Sequence, residues 1–547
     1  MNHNTPRTLA AIAATALAVF AAQATTYYAA PAGAPDADCL TPQTAGTLDL
    51  AVSKATANGD IIQLAAGNYD RSASPVTLGV AGITLKGASD DPTQTVLIGP
   101  GTAKSMTGVV VTKKATVCDL TISNFYQSTK GGAAAAGANG ATTLASSLTA
   151  RNCRIVCNTT ANGRYVRGAT VYGGTWNNCV FSGNKSNSSN GGAADSGTFI
   201  DCIFTNNTAA YYAGALYNGT AIGCLFIDNK TTASGCGFGA VYGGTSRGCT
   251  FIRNTSYFGG AGGANSTDKS YFYDCFFTNN TATSTGHGGA LYGANNSNVT
   301  ASNCVFIGNS ATKAEGLGGA ARYGSYTDCV FIRNKTGNNG SGGGLYSGIA
   351  KNCLFVGNSA RHGSGTYSST ASNCIYSNNV ALTSYDGTGV ALASGKALNC
   401  LIVDNKTTRA NTGIIKGAVC VNCTIVGNTV KTSSYAAATD GTYTNCLFMS
   451  NTTDIGGGTH VHSLYKTKAG SPTLVDCIQT TGAKFNAGRI AAQPYYAIRG
   501  NSPAKDAGID AGWTEDSLDL AGKRRLVGPV DIGCYEHSPG GTKLYVQ

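Results

Sequence analysis

Charge is scarce in this sequence: Asp, Glu, Lys and Arg make up 12% of 547 residues, while 42% are apolar. That balance excludes a disordered, self-repelling chain. The formal charge is +11, yet no basic run exceeds Lys523-Arg524-Arg525, so no nucleic-acid partner is expected. Helix-compatible stretches are missing between residues 153 and 451, and a chain with 74 glycines would break them anyway. A membrane-length apolar run is missing at the start as well: Leu9 to Ala22 spans 14 residues, where a bilayer needs about 20. That run follows Arg7 and precedes Ala22-Gln-Ala24, the layout of a secretory signal over residues 1–24. Its removal takes Arg7 and lowers the charge from +11 to +10, leaving no integral membrane segment.

What the chain has instead is one phrase, Cys-x-Phe-x-x-Asn or a near variant, returning thirteen times between Cys153 and Asn451. Examples are Cys179-Val-Phe-Ser-Gly-Asn184, Cys202-Ile-Phe-Thr-Asn-Asn207 and Cys249-Thr-Phe-Ile-Arg-Asn254. The cysteines follow one another at 21 to 29 residues, a period that means stacked repeats. Cys and Phe, two apart, share one strand face and point inward. Asn or Asp usually precedes the Cys and suits a tight turn. Gly-rich phrases such as Gly214-Ala-Leu-Tyr217 and Gly289-Ala-Leu-Tyr292 separate the copies. About 24 residues of short strands and turns per repeat predict an all-β parallel β-helix with coils about 4.8 Å apart. Cys then stacks on Cys, Phe on Phe, and the turn asparagines pass amide hydrogen bonds along the axis.

The Phe-x-x-Asn and Gly-Gly-Ala phrases, the latter at Gly191 to Ala193, Gly259 to Ala261, Gly288 to Ala290 and Gly318 to Ala320, resemble the repeats of chlamydial polymorphic membrane proteins. They are also similar to other pectate-lyase-like β-helix proteins. The resemblance implies a right-handed solenoid and, as activity, adhesion.

Residues 25–124 are expected to form an N-terminal helical cap and the first coils. Leu48, Val52 and Ala55 share a helical face that Asn58-Gly59 ends, and such a helix would cover the open first coil. Strands follow at Ile61 to Leu64, Ile83 to Leu85, Val96 to Ile98 and Leu120 to Ile122, the last placing Asn124 in the asparagine column. Residues 125–451 carry the repeats, and residues 452–547 the last coils and a closing module. The ending, Asp531-Ile-Gly-Cys-Tyr-Glu536, resembles the choice-of-anchor module of secreted β-helix proteins, with Cys534 where that module has Ala. Asp510, Asp519, Asp531 and Glu536 lie near Lys523, Arg524 and Arg525, as either an ion-pair network closing the open coil or a calcium site.

Twenty cysteines in a secreted chain suggest disulfides. Fourteen belong to the column, however, where parallel Cβ atoms about 4.8 Å apart do not converge into bridges. Cys39, Cys118, Cys157, Cys236, Cys420 and Cys534 stand off the column and are free to pair. Cys420-Val-Asn-Cys423 imitates a redox motif, but Cys423 is in the column. Gly286-His287-Gly288 resembles a phrase of polygalacturonases, without that family's paired aspartates. His460-Val-His462 places two imidazoles on one strand face, with no third ligand for zinc. The tyrosines at 217, 242, 292, 323, 346 and 367 form a column that would stack sugar rings if exposed; Arg322 marks an outward slot beside it, which favours tyrosines packed inward.

Carboxylates weigh against hydrolysis: only ten stand between Phe125 and Cys446. Asp201, Asp274 and Asp328 share one turn but sit two or three coils apart, about 10 and 14 Å, against the 5–9.5 Å a glycosidase needs. Asp386 and Asp440 lie on loops that can approach another carboxylate. No catalytic residue, metal ligand or cofactor is assigned. The reading is a secreted or cell-surface β-helix, monomeric, adhesive or binding polysaccharide or cell-surface glycan; a polysaccharide lyase or hydrolase is the alternative, and a structural envelope component the third.

Overall fold

The computed structural model describes residues 23–537 apart from 129–131, 138–146, 162–169, 188–189, 234–236, 285, 382–387, 408–411 and 487–495. Residues 1–22 of the expected secretory signal, Cys236 and Asp386 lie outside the described residues. The chain winds as a right-handed parallel β-helix with almost no helix. One ladder alone contains eighteen strands, so the body is about 80 Å long at about 4.8 Å per coil.

One coil shows the plan. The strand Val180–Ser182 carries Phe181 inward, Lys185–Ser186 follows the Asn184 turn, Ala194–Asp195 follows a glycine-rich bend, and Thr198–Ile200 leads to the next Cys. Each then pairs in register with its counterpart one coil on, as Phe181 does with Phe204 and Phe199 with Ala221. The residue before Cys is left-handed in coil after coil, with φ of 50° at Asn178, 51° at Asp201 and 54° at Asn352. Asn and Asp tolerate that region better than other side chains, which is why they recur there.

Three inward columns make the core. Phe rings stack at 4.7 to 4.8 Å between centroids from Phe181 to Phe355, and Tyr376 continues them at 5.0 Å. Aromatics on the opposite sheet fill against them edge-on: Trp176 on Phe181 at 5.3 Å, Phe272 on Phe277 at 5.4 Å, Tyr326 on Phe331 at 5.5 Å. Cysteines form the second column as free thiols, each S–H donating to the carbonyl two residues back, such as Cys202 Sγ to Ile200 O at 3.3 Å. Their sulfurs accept from the previous coil, Cys179 N donating to Cys202 Sγ at 3.4 Å. Burial pushes thiols such as Cys400 and Cys446 well above their ordinary range, so they are packing groups and not nucleophiles. The off-column Cys39, Cys118, Cys157, Cys420 and Cys534 are free as well.

The third column is the asparagine ladder. Asn254 Nδ2 donates to Phe226 O at 2.9 Å and to Asn280 Oδ1 at 3.0 Å, and its Oδ1 accepts from both Asn229 N and Asn229 Nδ2 at 3.0 Å. The chain of amides runs from Asn158 to Asn451, whose Nδ2 ends on Asp454 Oδ1 at 2.8 Å. It does not include Asn124: the pairing of Ile122 with Ile155 sets Phe125 opposite Asn158, and Phe125 N donates to Asn158 Oδ1 at 2.9 Å. Asn124 is one residue early, in the left-handed turn (φ 61°).

At the N-terminal end, a helix of seven residues, Leu48–Lys54, is capped by Thr47 and packs against the strand Thr26–Ala34. Leu48, Ala51 and Ala55 form its buried face, and Val52 stays half-buried. The closing module lies along the side of the last coils. Its Ile532, Cys534 and Tyr535 sit on the outward residues Leu401, Val426, Leu447 and Met449 of the Phe sheet. The turn asparagines hold it: Asn422 Nδ2 donates to Asp531 O at 2.9 Å, and Asn445 Nδ2 to Ile509 O at 2.7 Å.

Candidate functional site

The glycine-rich phrases make a sharp inward bend. At Gly288 (φ +67°) a Cβ would strike the carbonyl oxygen of Leu291, so only glycine fits. The bend brings residues five apart onto its two rims. One rim runs His287, Leu317, Ser341, His362, Thr388 in bridged register. The other runs Tyr217, Tyr242, Gly263, Tyr292, Arg322, Tyr346, Tyr367. Together they border a notch along the side of the solenoid.

This register corrects the tyrosine column. The preceding residues Leu216, Val241, Leu291 and Leu345 are the buried ones, so the tyrosines face outward. Arg322 occupies a tyrosine position, not a slot beside it, and Tyr323 falls in the left-handed turn (φ 56°). Tyr217, Tyr292, Tyr346 and Tyr367 are half-buried, and Tyr242 is buried.

The aromatics cover one another where the rims meet. Tyr217 stacks on Tyr242 at 5.0 Å with rings 6° apart, and Tyr346 on Tyr367 at 5.4 Å and 6°. Tyr212 and Phe258 from the facing rim reach Tyr242 and Tyr292, each at 5.0 Å. Phe238 fills the place that Gly263 leaves empty, lying 5.2 Å from Tyr242 and 6.0 Å from Tyr292. Arg322 lays its guanidinium over Tyr292 at 5.1 Å and Tyr323 at 4.7 Å, and its Nε makes no hydrogen bond among the described residues. Burial, then the neighbouring Arg322 charge, lowers His287 to about 4, so it is neutral at pH 7.

Two carboxylates border the notch. Asp268 accepts from the Tyr242 hydroxyl, and burial followed by that carboxylate pushes the phenol well above its ordinary value. Asp195 is buried and accepts from Ser196 Oγ at 2.9 Å. Asp195 pairs with Tyr217, which pairs with Tyr242, so Asp195 and the tyrosine bound to Asp268 are two rungs, about 10 Å, apart. The strand register by itself does not bring these two carboxylates together as a glycosidase pair. Two half-buried, mutually stacked tyrosines, an arginine whose Nε is buried without a partner among the described residues, and backbone polar groups instead form a surface for edge contacts and hydrogen bonding.

The other residues singled out from sequence fall elsewhere. His460 and His462 do not share a face: His460 is in the core, stacked on Tyr443 at 4.7 Å, whereas His462 takes the left-handed turn (φ 44°) and pairs with Asp476 at 3.5 Å. Asp274 and Asp328 accept from Asn303 and Asn352 of the next coil, at 2.7 and 3.0 Å, as turn partners. Asp440 pairs with Lys416 at 3.6 Å on another rim. Among the described residues, no three His, Cys, Asp or Glu side chains gather to hold a metal. Phe238, Phe258, Asp195 and Asp268 were not assigned to a site; the five-residue offset across the glycine-rich bend signals Phe258 and Asp195, whereas Phe238 takes a glycine position of its bend and Asp268 lies in the loop after Gly262–Ala264.

No protein-family model matches this sequence, and no curated protein sequence does. Among solved structures, it is similar in fold to pectate lyase Pel9A, at 10% identity, covering 94% of this chain and 96% of that one, with a TM-score of 0.17. Pectin methylesterase PemA from Erwinia chrysanthemi matches at 11% identity over 51% of this chain and 90% of its own, with a TM-score of 0.26. The tailspike protein 3 of bacteriophage CBA120 matches at 12% over 85% and 64%, with a TM-score of 0.26. At such values these likenesses carry no functional argument, and function must be argued from the notch.

Proposed function

We propose that this is a secreted or surface-associated β-helix that binds polysaccharide along the notch, with adhesion as the outcome. The observation that carries the reading is the outward tyrosine ladder interrupted by Arg322. The rings lie on one another, so their half-exposed edges and hydroxyls offer contacts and hydrogen bonds to a sugar chain laid along them, and the Arg322 guanidinium among them selects a carboxylate or sulfate on it. The charge of +11 for the full chain favours the same acidic polymers. Export by the N-terminal signal is part of this proposal.

Isothermal titration with a polyuronate and with a neutral glucan tests it, alongside an assay for reducing ends and unsaturated products. Binding of the polyuronate without products is the expected result. Arg322→Ala should weaken it by about tenfold and Tyr346→Ala by a few-fold, both with unchanged melting. Turnover of the polymer, or equal affinity of the parent and Arg322→Ala, would overturn the reading.

A further inference from the structure

The outer face of the Phe sheet points to a second function of the surface, independent of the notch. Nine successive coils present two outward columns there, one from Val180 to Ile375 and one from Ser182 to Ser377. Thirteen of those eighteen positions are Val, Ile, Leu or Phe, five are Ser or Thr, and none is charged. The sheet before each Cys is an internal control, since it is built from the same coils. Of its eighteen outward positions from Thr175 to Ser372, three are aliphatic, while Arg247, Lys351 and a row of Thr and Ser fill most of the rest. Water-facing sheets of this chain are therefore threonine-rich, and the Phe sheet departs from that rule. Phe276 on the middle rung is 53% exposed, and Ile203 and Ile307 are 38% and 37% exposed.

The same two columns continue into an interface that the chain itself closes. From Leu401 onward, their side chains are buried under Ile532, Cys534 and Tyr535 of the closing module, and Ile375 lies at its edge. We propose that the open rungs are covered by a second copy of this chain, sheet against sheet. The strip is about 38 Å long and, with its flanking turns, roughly 15 Å wide, on the order of 600 Å² per copy. That is the lower end of what specific dimers bury, and its uncharged centre has the composition of a homodimer core. Facing sheets pack about 10 Å apart and about 30° askew, which swings the partner's ends away from the module. The edges supply the polar rim: Asp201, Asp274 and Asp328 stand on one, and the exposed Asp228–Arg253 pair (2.7 Å) with Arg333 on the other. The three aspartates disfavour an anionic lipid surface as the occupant.

Sedimentation velocity over a dilution series tests the proposal. The full chain should sediment as a dimer at high concentration and dissociate on dilution. Phe276→Lys and Ile307→Lys, outward and remote from the core, should leave it monomeric at every concentration with unchanged circular dichroism and melting. Arg247→Asp on the control sheet should dimerise like the parent. A parent that stays monomeric at the highest concentration, or a dimer untouched by both lysine variants, would overturn the proposal. So would a monomer that binds neutral phosphatidylcholine vesicles through Phe276.

Discussion

The asparagine ladder shows how much one position can determine. Each inner amide has all its donors and acceptors used by neighbouring coils, and Asn254 and Asn309 are fully buried. Truncation leaves the partners above and below unpaired in a site closed to water. Asn254→Ala and Asn309→Ala should each lower stability by roughly 1–3 kcal/mol in denaturant titrations. Unchanged midpoints in both would mean that the amides are solvated. His460 makes a second test. Burial lowers it to about 4 from an ordinary 6.5, so its contribution is full above pH 6.5 and is lost as pH falls towards 4, up to about 3 kcal/mol. Melting should therefore drop between those pH values, and His460→Phe, which keeps a ring against Tyr443, should flatten that part of the profile. The ladder was legible because Cys, Phe and Asn keep fixed offsets in every copy. The tyrosine rim was misread because register is decided by one residue: Gly319-Ala-Ala-Arg322-Tyr323 has one more letter than its neighbours, and a slip of one turns a strand over. Asn124 failed the same way.

At the scale of elements, the module depends on a buried ion pair. Arg525 Nη1 donates to Glu536 Oε2 at 2.8 Å and its Nη2 to Asn399 Oδ1 at 2.6 Å, while Glu536 Oε1 accepts from Asp531 N at 2.9 Å. Asp519 closes the circuit by accepting from Glu536 N and Lys523 N, both at 2.8 Å. Of the charges expected to act together, Asp510 does something else, capping the backbone N–H groups of Gly512 and Trp513. Removing one partner of a buried pair costs up to about 3–5 kcal/mol; without Arg525 the Glu536 carboxyl, which burial raises to about 7, takes up a proton and loses its charge-assisted bonds. Arg525→Ala should thus release the module first: limited proteolysis should cut after the last coils while residues before 480 stay protected. The pair itself was legible from the spacing of Arg525 and Glu536. Its destination was not, since Asn399, Asn422 and Asn445 read as turn residues like those of every other coil, and Leu401, Leu447 and Met449 differ only in facing outward under cover.

On the scale of the whole molecule, a solenoid is held by contacts between adjacent coils, so its protection should follow position along the axis. The inner coils have a neighbour on both sides. The last strands, Thr473–Val475 and Ile478–Gln479, pair on one side only and are partly exposed. The cysteine column reports this directly, because thirteen successive coils from Cys153 to Cys446 carry the same thiol in the same place, before Ser463 takes that place and Cys477 follows. From Cys153 to Cys446 the column is buried, Cys477 is half-exposed, and Cys157 in its left-handed turn is exposed. Thiol alkylation of the native protein, resolved by peptide mass spectrometry, should label Cys157 at once and Cys477 more slowly. The buried column should wait for unfolding: an inner thiol is raised by desolvation and hydrogen-bonded to backbone, so it reacts only when its coil opens. Under mild denaturant, labelling should therefore advance inward from Cys446 with Cys249 and Cys275 among the last. Early labelling of those middle cysteines with Cys446 still protected would show that the coils open independently, and the axis would not be the unit of stability.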